Sequence, residues 1–424
     1  MSSKEKILQH YKNTRLKTHE ICSPLEPDDY NMQAMYDGSP PKWNIGHCTW
    51  AFEAFALSAC VPNYKPYNEK FAYCFNSYYE TVGERIQRHN RHLLSRPTLD
   101  EVYAYRKFVD EQVEEYLTTS VKKVSNLDDF MMRLEIAINH EQQHQELFFT
   151  DLKHIFFMSP LQPAYAEKKD VLSISTEYRP AKFNEFEPVL TDIGHTGDGF
   201  SYDNELGRHK VYLNPFSMMN RLVTNGEFIE FVEDGGYSDF RWWLSDAWAT
   251  VQKEDWKQPL YWTKVDKDWY EFTLHGMKKI NHSAPVCHVS FFEADAYAKY
   301  KEARLPTEFE WEHVANTQLQ EIESGHFMDN NYIQPIVAKP ESDACAEFFG
   351  NVWELTQSSY LPYPNFVTPP GALAEYNGKF MNDQRVLRGG SCATPQNHIR
   401  STYRNFWQSD KRWQFSGFRL TKDL

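Results

Sequence analysis

The sequence predicts an α+β protein in two parts, a helical N-terminal part followed by a turn-rich part of short strands. Three observations carry this. Residues 1–158 hold four long stretches whose apolar residues recur at helical spacing. From about residue 180 the chain becomes a succession of short apolar strings separated by Gly, Pro, Asn and Asp. A length of 424 residues also exceeds what one hydrophobic core usually holds. The expected division is a four-helix bundle over 1–160, a linker over 161–190 and a second domain over 191–424.

Taken in order, the predicted helices of the first part are Glu5 to Cys22, Ile45 to Ser58, Leu99 to Thr118 and Asp128 to His154. The third is entered through Pro97-Thr98, with Thr98 as N-cap and Glu101 closing a capping box. The fourth contains neither Gly nor Pro. In a bundle of four such helices, metal sites are built from side chains on facing helices. Between the second and third helices, Pro62 to Pro97 is a long non-helical segment rich in Asn, Arg and Tyr. Loops beyond about 15 residues in a compact domain are usually functional or disordered. The second part carries three predicted helices, Thr224 to Glu233, Phe291 to Glu302 and Thr307 to Asn316. The last of these has Thr307 and Glu310 as a capping box. No period of about 20 to 50 residues recurs, which argues against a repeat architecture.

Composition narrows the function classes. A net charge of −14 argues against a nucleic-acid binder, whose footprint is a basic face. Neither a signal-type apolar run at the N-terminus nor a stretch of membrane-spanning length is present. The seven cysteines are odd in number and scattered, with no C-x-x-C pair, which suits reduced thiols. A cytoplasmic enzyme of small molecules is the expectation. Aromatic residues reach 16% of the chain, fitting irregular loops pinned by rings around a sizeable pocket.

The chemistry centres on His140-Glu141-Gln142-Gln143-His144 in the fourth helix. Residues four apart share a helix face, so His140 and His144 can direct two imidazoles at one point. Imidazole suits Zn, Fe, Cu and Ni alike. The pentad is also a literal H-E-x-x-H, with Glu141 where a zinc hydrolase keeps its general base. Taken alone, such a pair is equally well read as a solvated polar face. A third imidazole is available at His47, which is expected near the start of the second helix on an otherwise apolar, aromatic stretch. By itself His47 reads as a buried structural histidine. With the pair, it makes a three-histidine site that leaves open positions for substrate.

The string Ser39-Pro-Pro-Lys-Trp-Asn-Ile-Gly-His47, then Asn76-Ser-Tyr-Tyr-Glu80, Leu94-Ser-Arg-Pro-Thr98 and Asn139-His-Glu-Gln-Gln-His-Gln-Glu-Leu147 resemble the ergothioneine-pathway sulfoxide synthases. These are non-haem iron enzymes that join hercynine to a thiol. In the second part, Val223-Thr-Asn-Gly-Glu227, Pro285-Val-Cys-His-Val-Ser290, Arg304-Leu-Pro-Thr-Glu308, Gly350-Asn-Val-Trp-Glu354 and Arg388-Gly-Gly-Ser391 resemble the formylglycine-generating-enzyme-like domain, of C-type-lectin-like fold. So do Tyr403-Arg-Asn-Phe406 and Arg412-Trp-Gln-Phe-Ser-Gly-Phe-Arg-Leu420. The matches run in family order over essentially the whole chain.

The resemblance implies a DinB-like bundle that supplies His47, His140 and His144 to Fe(II), with O2 as co-substrate. Dioxygen fits the reaction, because forming a C–S bond and a sulfoxide together removes four electrons, and zinc has no redox chemistry to offer. Gln143 is implied to hydrogen-bond the hercynine imidazole. Asn405 and Phe406 are implied to hold its carboxylate and trimethylammonium groups, the latter by cation–π attraction. The Asn-Ser-Tyr-Tyr-Glu string resembles the family branch whose catalytic tyrosine lies in this loop, which implies Tyr79 or Tyr78, with Tyr79 favoured. Neighbouring side chains on an extended segment point to opposite sides, so one of the two is expected to face the metal. Arg88 and Arg91 are implied to clamp the thiol substrate's carboxylate, as guanidinium forks do.

This chain departs from the family pattern in places. Asn44 and Cys48 replace the more usual His and Thr near the first ligand, and Leu355 replaces a Trp. Trp407 stands where users of γ-glutamyl-cysteine tend to carry an acidic residue, which points to L-cysteine as the thiol. A γ-glutamyl-cysteine or selenol donor is the alternative. Cys345 and Cys392 do not match the paired cysteines of formylglycine generation. A zinc hydrolase and a non-catalytic small-cation binding module are the competing classes. The expected partners are therefore small molecules, without nucleic acid or membrane.

Overall fold

The computed structural model describes residues 2–119, 124–166, 179–197, 199–318, 321–337, 343–369 and 375–424. The chain forms two compact units, Met1–Ala166 with Gly371–Glu375, and Glu167–Pro370 with Tyr376–Leu424. Residues 167–178 of the expected linker lie outside the described residues, and two strands of the second unit begin within the remainder of that stretch.

The first unit is built on helices α1 (Ser3–Cys22), α2 (Pro41–Phe52), α3 (Ser58–Cys60), α4 (Phe71–Phe75), α5 (Leu99–Thr118) and α6 (Leu127–Met158). Local chemistry explains where the long ones start. Ser2 with Glu5, and Thr98 with Glu101, form capping boxes at α1 and α5. The Asn126 side chain accepts from the backbone N–H groups of Asp128 and Asp129 at α6. Pro41 occupies the first turn of α2, where its missing N–H costs nothing. The α2 helix therefore begins four residues before the predicted Ile45, and His47 sits in its second turn rather than near its start.

Burial differs between these helices. Val102, Tyr105, Arg106, Val109, Val113 and Leu117 form a one-sided stripe on α5, whereas every residue of α2 is buried. A helix buried all round lies in the middle of its unit. After Phe52 the backbone widens into a π turn over Glu53–Leu57 before α3. The segment predicted as wholly non-helical, Pro62 to Pro97, contains α4 and two 3-10 turns, Glu80–Val82 and Arg88–Leu93.

Among its described residues the second unit combines four small sheets with four α-helices. Strands β1 (Phe183–Phe186), β4 (Phe216–Met219) and β12 (Thr421–Asp423) form one sheet, and β2 (Val189–Ile193) pairs with β3 (His209–Leu213). Strands β5 (Trp262–Val265), β6 (Asp268–Thr273) and β7 (Gly276–Lys279) form a meander. The last sheet runs in the order β10 (Asn405–Gln408), β9 (Gln384–Arg388), β8 (Trp353–Ser359), β11 (Ser416–Gly417). Helices α7 (Asn225–Glu233), α9 (Phe291–Tyr300) and α10 (Glu308–Thr317) match the three predicted ones, while α8 (Ser245–Lys253) was not anticipated.

Much of the motif content of this unit is structural. Glu308 accepts from Arg404 at 2.8 and 3.0 Å, Glu354 accepts from Arg419, and Glu312 pairs with Arg388. All six side chains are buried. The glutamates of the Arg-Leu-Pro-Thr-Glu and Gly-Asn-Val-Trp-Glu strings are thus neutralised by arginines near the C-terminus, and the arginine of Arg-Gly-Gly-Ser by Glu312 of α10, inside the core. A buried charge is tolerated only when paired in this way. Gly389 has φ +92°, and a Cβ there would come within 2.1 Å of the Phe348 carbonyl oxygen, so no other residue fits beside Arg388.

Candidate metal centre

His47 from α2 meets His140 and His144 from α6 in the interior of the first unit. Their ligand-type nitrogens all lie within 4.8 Å of one another, and all three residues are buried. The Nε2 atoms of His47 and His140 are 3.2 Å apart. Burial, and then the neighbouring imidazoles, hold His47 and His144 well below the ordinary histidine range, and burial brings His140 down to about 4. Three neutral imidazoles at neutral pH are three available lone pairs.

Two of these rings have their tautomer set by the protein. The Nδ1 of His47 lies 2.6 Å from the Phe75 carbonyl, and the Nδ1 of His144 lies 3.0 Å from Asn44 Oδ1. Both partners can only accept, so each Nδ1 carries the proton and each Nε2 keeps its lone pair. Metal-ligating histidines are held through the other ring nitrogen in just this fashion. The residues present therefore fit a three-nitrogen metal centre with open positions.

Trp43 stacks on His47 with ring centroids 4.6 Å apart and planes within 13°, and Trp50 lies 5.8 Å away on the same imidazole. Residues 43, 47 and 50 occupy one face of α2, so the helix presents its ligand between two indoles.

Gly46 is needed for this arrangement. A Cβ at that position would lie 2.2 Å from the buried Phe75 ring, whose backbone carbonyl orients His47. Gly46→Ala is expected to lower stability by about 1–3 kcal/mol through overpacking and to weaken metal binding with it. Thermal unfolding together with a metal titration checks this, and wild-type values in both would contradict it.

Glu141 does not face the histidines' common point. It is fully buried and accepts from Arg15 at 2.8 Å, Arg106 at 2.7 Å and Thr18 at 2.6 Å. Burial alone would raise its pKa, but the two guanidinium groups and the Thr18 hydroxyl hold it at about 2. A carboxylate with its oxygens so occupied is no general base, and the zinc-hydrolase reading of the pentad loses its catalytic group. Arg15 also reaches Asp110 at 2.7 Å, so the network ties α1, α5 and α6 together.

Tyr79 is buried, with its ring 4.8 Å from Phe55, 6.0 Å from Trp50 and 4.6 Å from Tyr78. It stands one aromatic ring from His47, through Trp50. The expected alternation of Tyr78 and Tyr79 does not hold, and their rings lie side by side. The segment is a bend rather than a strand: Asn76 accepts from the Tyr79 N–H and donates to its carbonyl, and a 3-10 turn follows at once.

Arg91 is buried, lies 3.3 Å above the Trp43 ring, and donates to Ser39 Oγ at 2.7 Å and Ser77 Oγ at 3.0 Å. No carboxylate among the described residues forms an ion pair with it, and its Nε lacks a partner. Burial pushes its pKa down. Arg88 is half exposed and lies 4.0 Å from Asp37. Gln143, beside His144 on α6, is half-buried.

Asn405 and Phe406 belong to the second unit, on edge strand β10, opposite Leu387 and Val386 of β9. Phe406 stacks on Tyr360 at 4.1 Å, and the Asn405 side chain accepts from the Phe406 N–H at 2.8 Å. All seven cysteines, Cys345 and Cys392 included, are free. No described helix is long and apolar enough to cross a membrane.

Several of the residues that shape this centre carry no sequence signal of their own. Trp43, Trp50, Arg15 and Arg106 read as ordinary core or helix residues, and the Phe75 carbonyl has no side-chain signature at all. Asn44 is visible only as a departure from a family string.

Comparison with known proteins accords with this geometry. Residues 176–424 match the sulfatase-modifying factor enzyme 1-like domain. The chain is 32% identical to hercynine oxygenase of Mycolicibacterium smegmatis over 70% of its length and 73% of that protein. It is 31% identical to hercynine oxygenase of Mycolicibacterium thermoresistibile over 94% and 91% of the two chains. The chain belongs to the hercynine oxygenase family. It is an oxygenase of ergothioneine biosynthesis. The hercynine oxygenase of Mycobacterium tuberculosis, 28% identical, aligns over the full length of both chains.

Proposed function

We propose that this protein is an iron(II)- and O2-dependent sulfoxide synthase that joins hercynine to L-cysteine. The observation that carries the reading is the buried cluster of three neutral imidazoles, two with Nε2 left bare by their hydrogen bonds, in a chain similar end to end to hercynine oxygenases. The reaction balances as hercynine plus cysteine plus O2 giving hercynylcysteine sulfoxide plus water. The imidazole C–H and the S–H are lost, a C–S bond forms, and sulfur gains one oxygen. Iron(II), held by His47, His140 and His144, would supply the O2-activating redox chemistry that zinc lacks.

The chain's own residues do the rest. Gln143 orients hercynine by a hydrogen bond to its imidazole; resemblance to the family assigns the carboxylate to Asn405 and the trimethylammonium group to Phe406. Arg91, a buried cation with no ion-pair partner among the described residues, and Arg88 receive the carboxylate of the thiol substrate. Tyr79 donates the proton that directs oxidation toward C–S coupling, with Tyr78 in ring contact beside it. Trp407, in place of an acidic side chain, favours cysteine over γ-glutamyl-cysteine.

The test is oxygen uptake by protein loaded anaerobically with Fe(II) and given hercynine and cysteine, with products weighed by mass spectrometry. A product equal to both substrates plus one oxygen less two hydrogens is expected. The same coupling with γ-glutamyl-cysteine or a selenol instead would move the donor, and no uptake with any donor would overturn the reading. Tyr79→Phe is expected to shift turnover toward cysteine sulfinate. An unchanged ratio of sulfoxide to sulfinate would remove Tyr79 from the mechanism.

A further inference from the structure

We propose that Asn44 is the positioning residue of this metal centre, selecting the tautomer and aim of His144 through a neutral amide. This rests on the three-histidine cluster being a metal site, and it adds a residue that touches neither substrate nor metal.

Asn44 is 1% exposed and sits on α2 one turn before His47, so the helix that supplies one ligand also orients another on α6. Its Oδ1 stands 3.0 Å from His144 Nδ1. The opposite amide orientation would set an N–H donor against that ring nitrogen. The imidazole proton would then move to Nε2, the atom facing the other histidines, and the lone pair needed for a metal would be lost. Asn44 Nδ2 points the other way and donates to the Ser39 carbonyl at 3.5 Å, a group that can only accept. The amide is thus sorted at both ends: a carbonyl receives its N–H, and an imidazole N–H meets its oxygen.

The same logic operates at His47, but with a different partner. There a backbone carbonyl does the holding, which no side-chain substitution can change directly. At His144 the holding group is a side chain, and its identity is a variable of the sequence. A neutral amide oxygen leaves the imidazole less electron-rich than a carboxylate would, because a negatively charged acceptor draws the Nδ1 proton further off the ring. In this chain Asn44 therefore determines both whether His144 offers a lone pair and how strongly it donates.

The experiment uses the full chain without hercynine, thiol or O2, so its outcome does not depend on the reaction proposed above. Co(II) is titrated anaerobically against a competing chelator for the parent, Asn44→Leu and Asn44→Asp. Asn44→Leu, of similar size and without an acceptor, is expected to bind Co(II) about 10–100-fold more weakly. Asn44→Asp, which restores an acceptor, is expected to bind at least as tightly as the parent and to shift the visible absorption of bound Co(II). In the metal-free proteins, 15N shifts of the His144 ring are expected to show a protonated Nδ1 in the parent and in Asn44→Asp, and not in Asn44→Leu. Parent-like affinity and an unchanged His144 tautomer in Asn44→Leu would overturn the proposal. If Asn44→Leu does not fold, weaker Co(II) binding by folded Asn44→Asp, or an unshifted spectrum, overturns it equally. Loss of C–S coupling activity in the parent, with these binding effects intact, would count against the proposed reaction alone.

Discussion

His140→Ala is expected to abolish iron loading and, with it, oxygen uptake. The His140 Nε2 stands 3.2 Å from that of His47, and its ring centroid is 4.6 Å from that of His144, so it belongs to the point at which the ligand-type nitrogens of the three rings converge. No other His, Cys, Asp or Glu among the described residues joins this cluster to replace it. Loss of an outer-shell partner alone typically weakens a metal site 10–100-fold, and loss of a ligand from a set of three should exceed about a hundredfold. The substitution should not unfold the unit, because a neutral side chain is removed and no charge is stranded. Metal content after anaerobic reconstitution, with thermal unfolding as control, measures it directly. A variant with parent levels of iron and activity would remove His140 from the centre.

Glu141→Ala should have the opposite profile, a large loss of stability. Removing this carboxylate strands Arg106, whose remaining partner is the Arg15 carbonyl, and leaves Arg15 with Asp110 and the Thr49 hydroxyl. Breaking a buried ion pair from one side costs about 3–5 kcal/mol, which in a unit of this size lowers the melting temperature by on the order of 10 °C. The pH dependence has a definite sign. The folded pKa of Glu141 lies below its ordinary value of 4.5, at about 2. Its contribution is therefore present in full above pH 4.5 and is lost as the pH falls through about 2. The gap between parent and Glu141→Ala should close over that acidic window and stay open at neutral pH. A neutral-pH melting temperature within a degree or two of the parent would show that the network carries no stability. A catalytic general base would behave differently, since its removal would abolish activity and leave stability intact.

Together the two substitutions separate neighbours in sequence that serve unlike ends. Residues 140 and 141 are about 100° apart around a helix. One therefore faces α2, and the other faces α1 and α5. The pentad pattern could not distinguish this arrangement from a zinc hydrolase, because it specifies residue types and spacing without specifying what each face of the helix meets. The pairing of His140 with His144 was legible for the converse reason, since a helix brings residues four apart together whatever surrounds it. His47 was legible as a ligand only in company: alone it read as a buried structural histidine, and it became the third imidazole beside the His140–His144 pair and by resemblance. Its helix is buried on every side and has no polar face to contrast with an apolar one, so periodicity could not say where an imidazole on it points.

In the second unit, the motif strings were readable as family marks but not as structure. Glu308, Glu354 and Arg388 could each have passed for a site residue until their partners Arg404, Arg419 and Glu312 were seen to neutralise them in the core. Tyr78 and Tyr79 followed the same course. An extended segment would have sent their rings to opposite sides, but Asn76 bends the chain and sets them in contact.

The sequence by itself determined the features that depend on neighbours a few residues away: the helices and their capping boxes, the His140–His144 pair, and the order of the two parts. These follow from backbone hydrogen bonds and side chains three or four positions apart. Tertiary structure decided what depends on distant chain segments. His47 lies 93 residues from His140, Asn44 lies 100 from His144, and Arg15 lies 126 from Glu141. Contacts at such separations form only when whole helices pack, so the roles of those side chains are set by burial and by the partner that packing brings within hydrogen-bond reach.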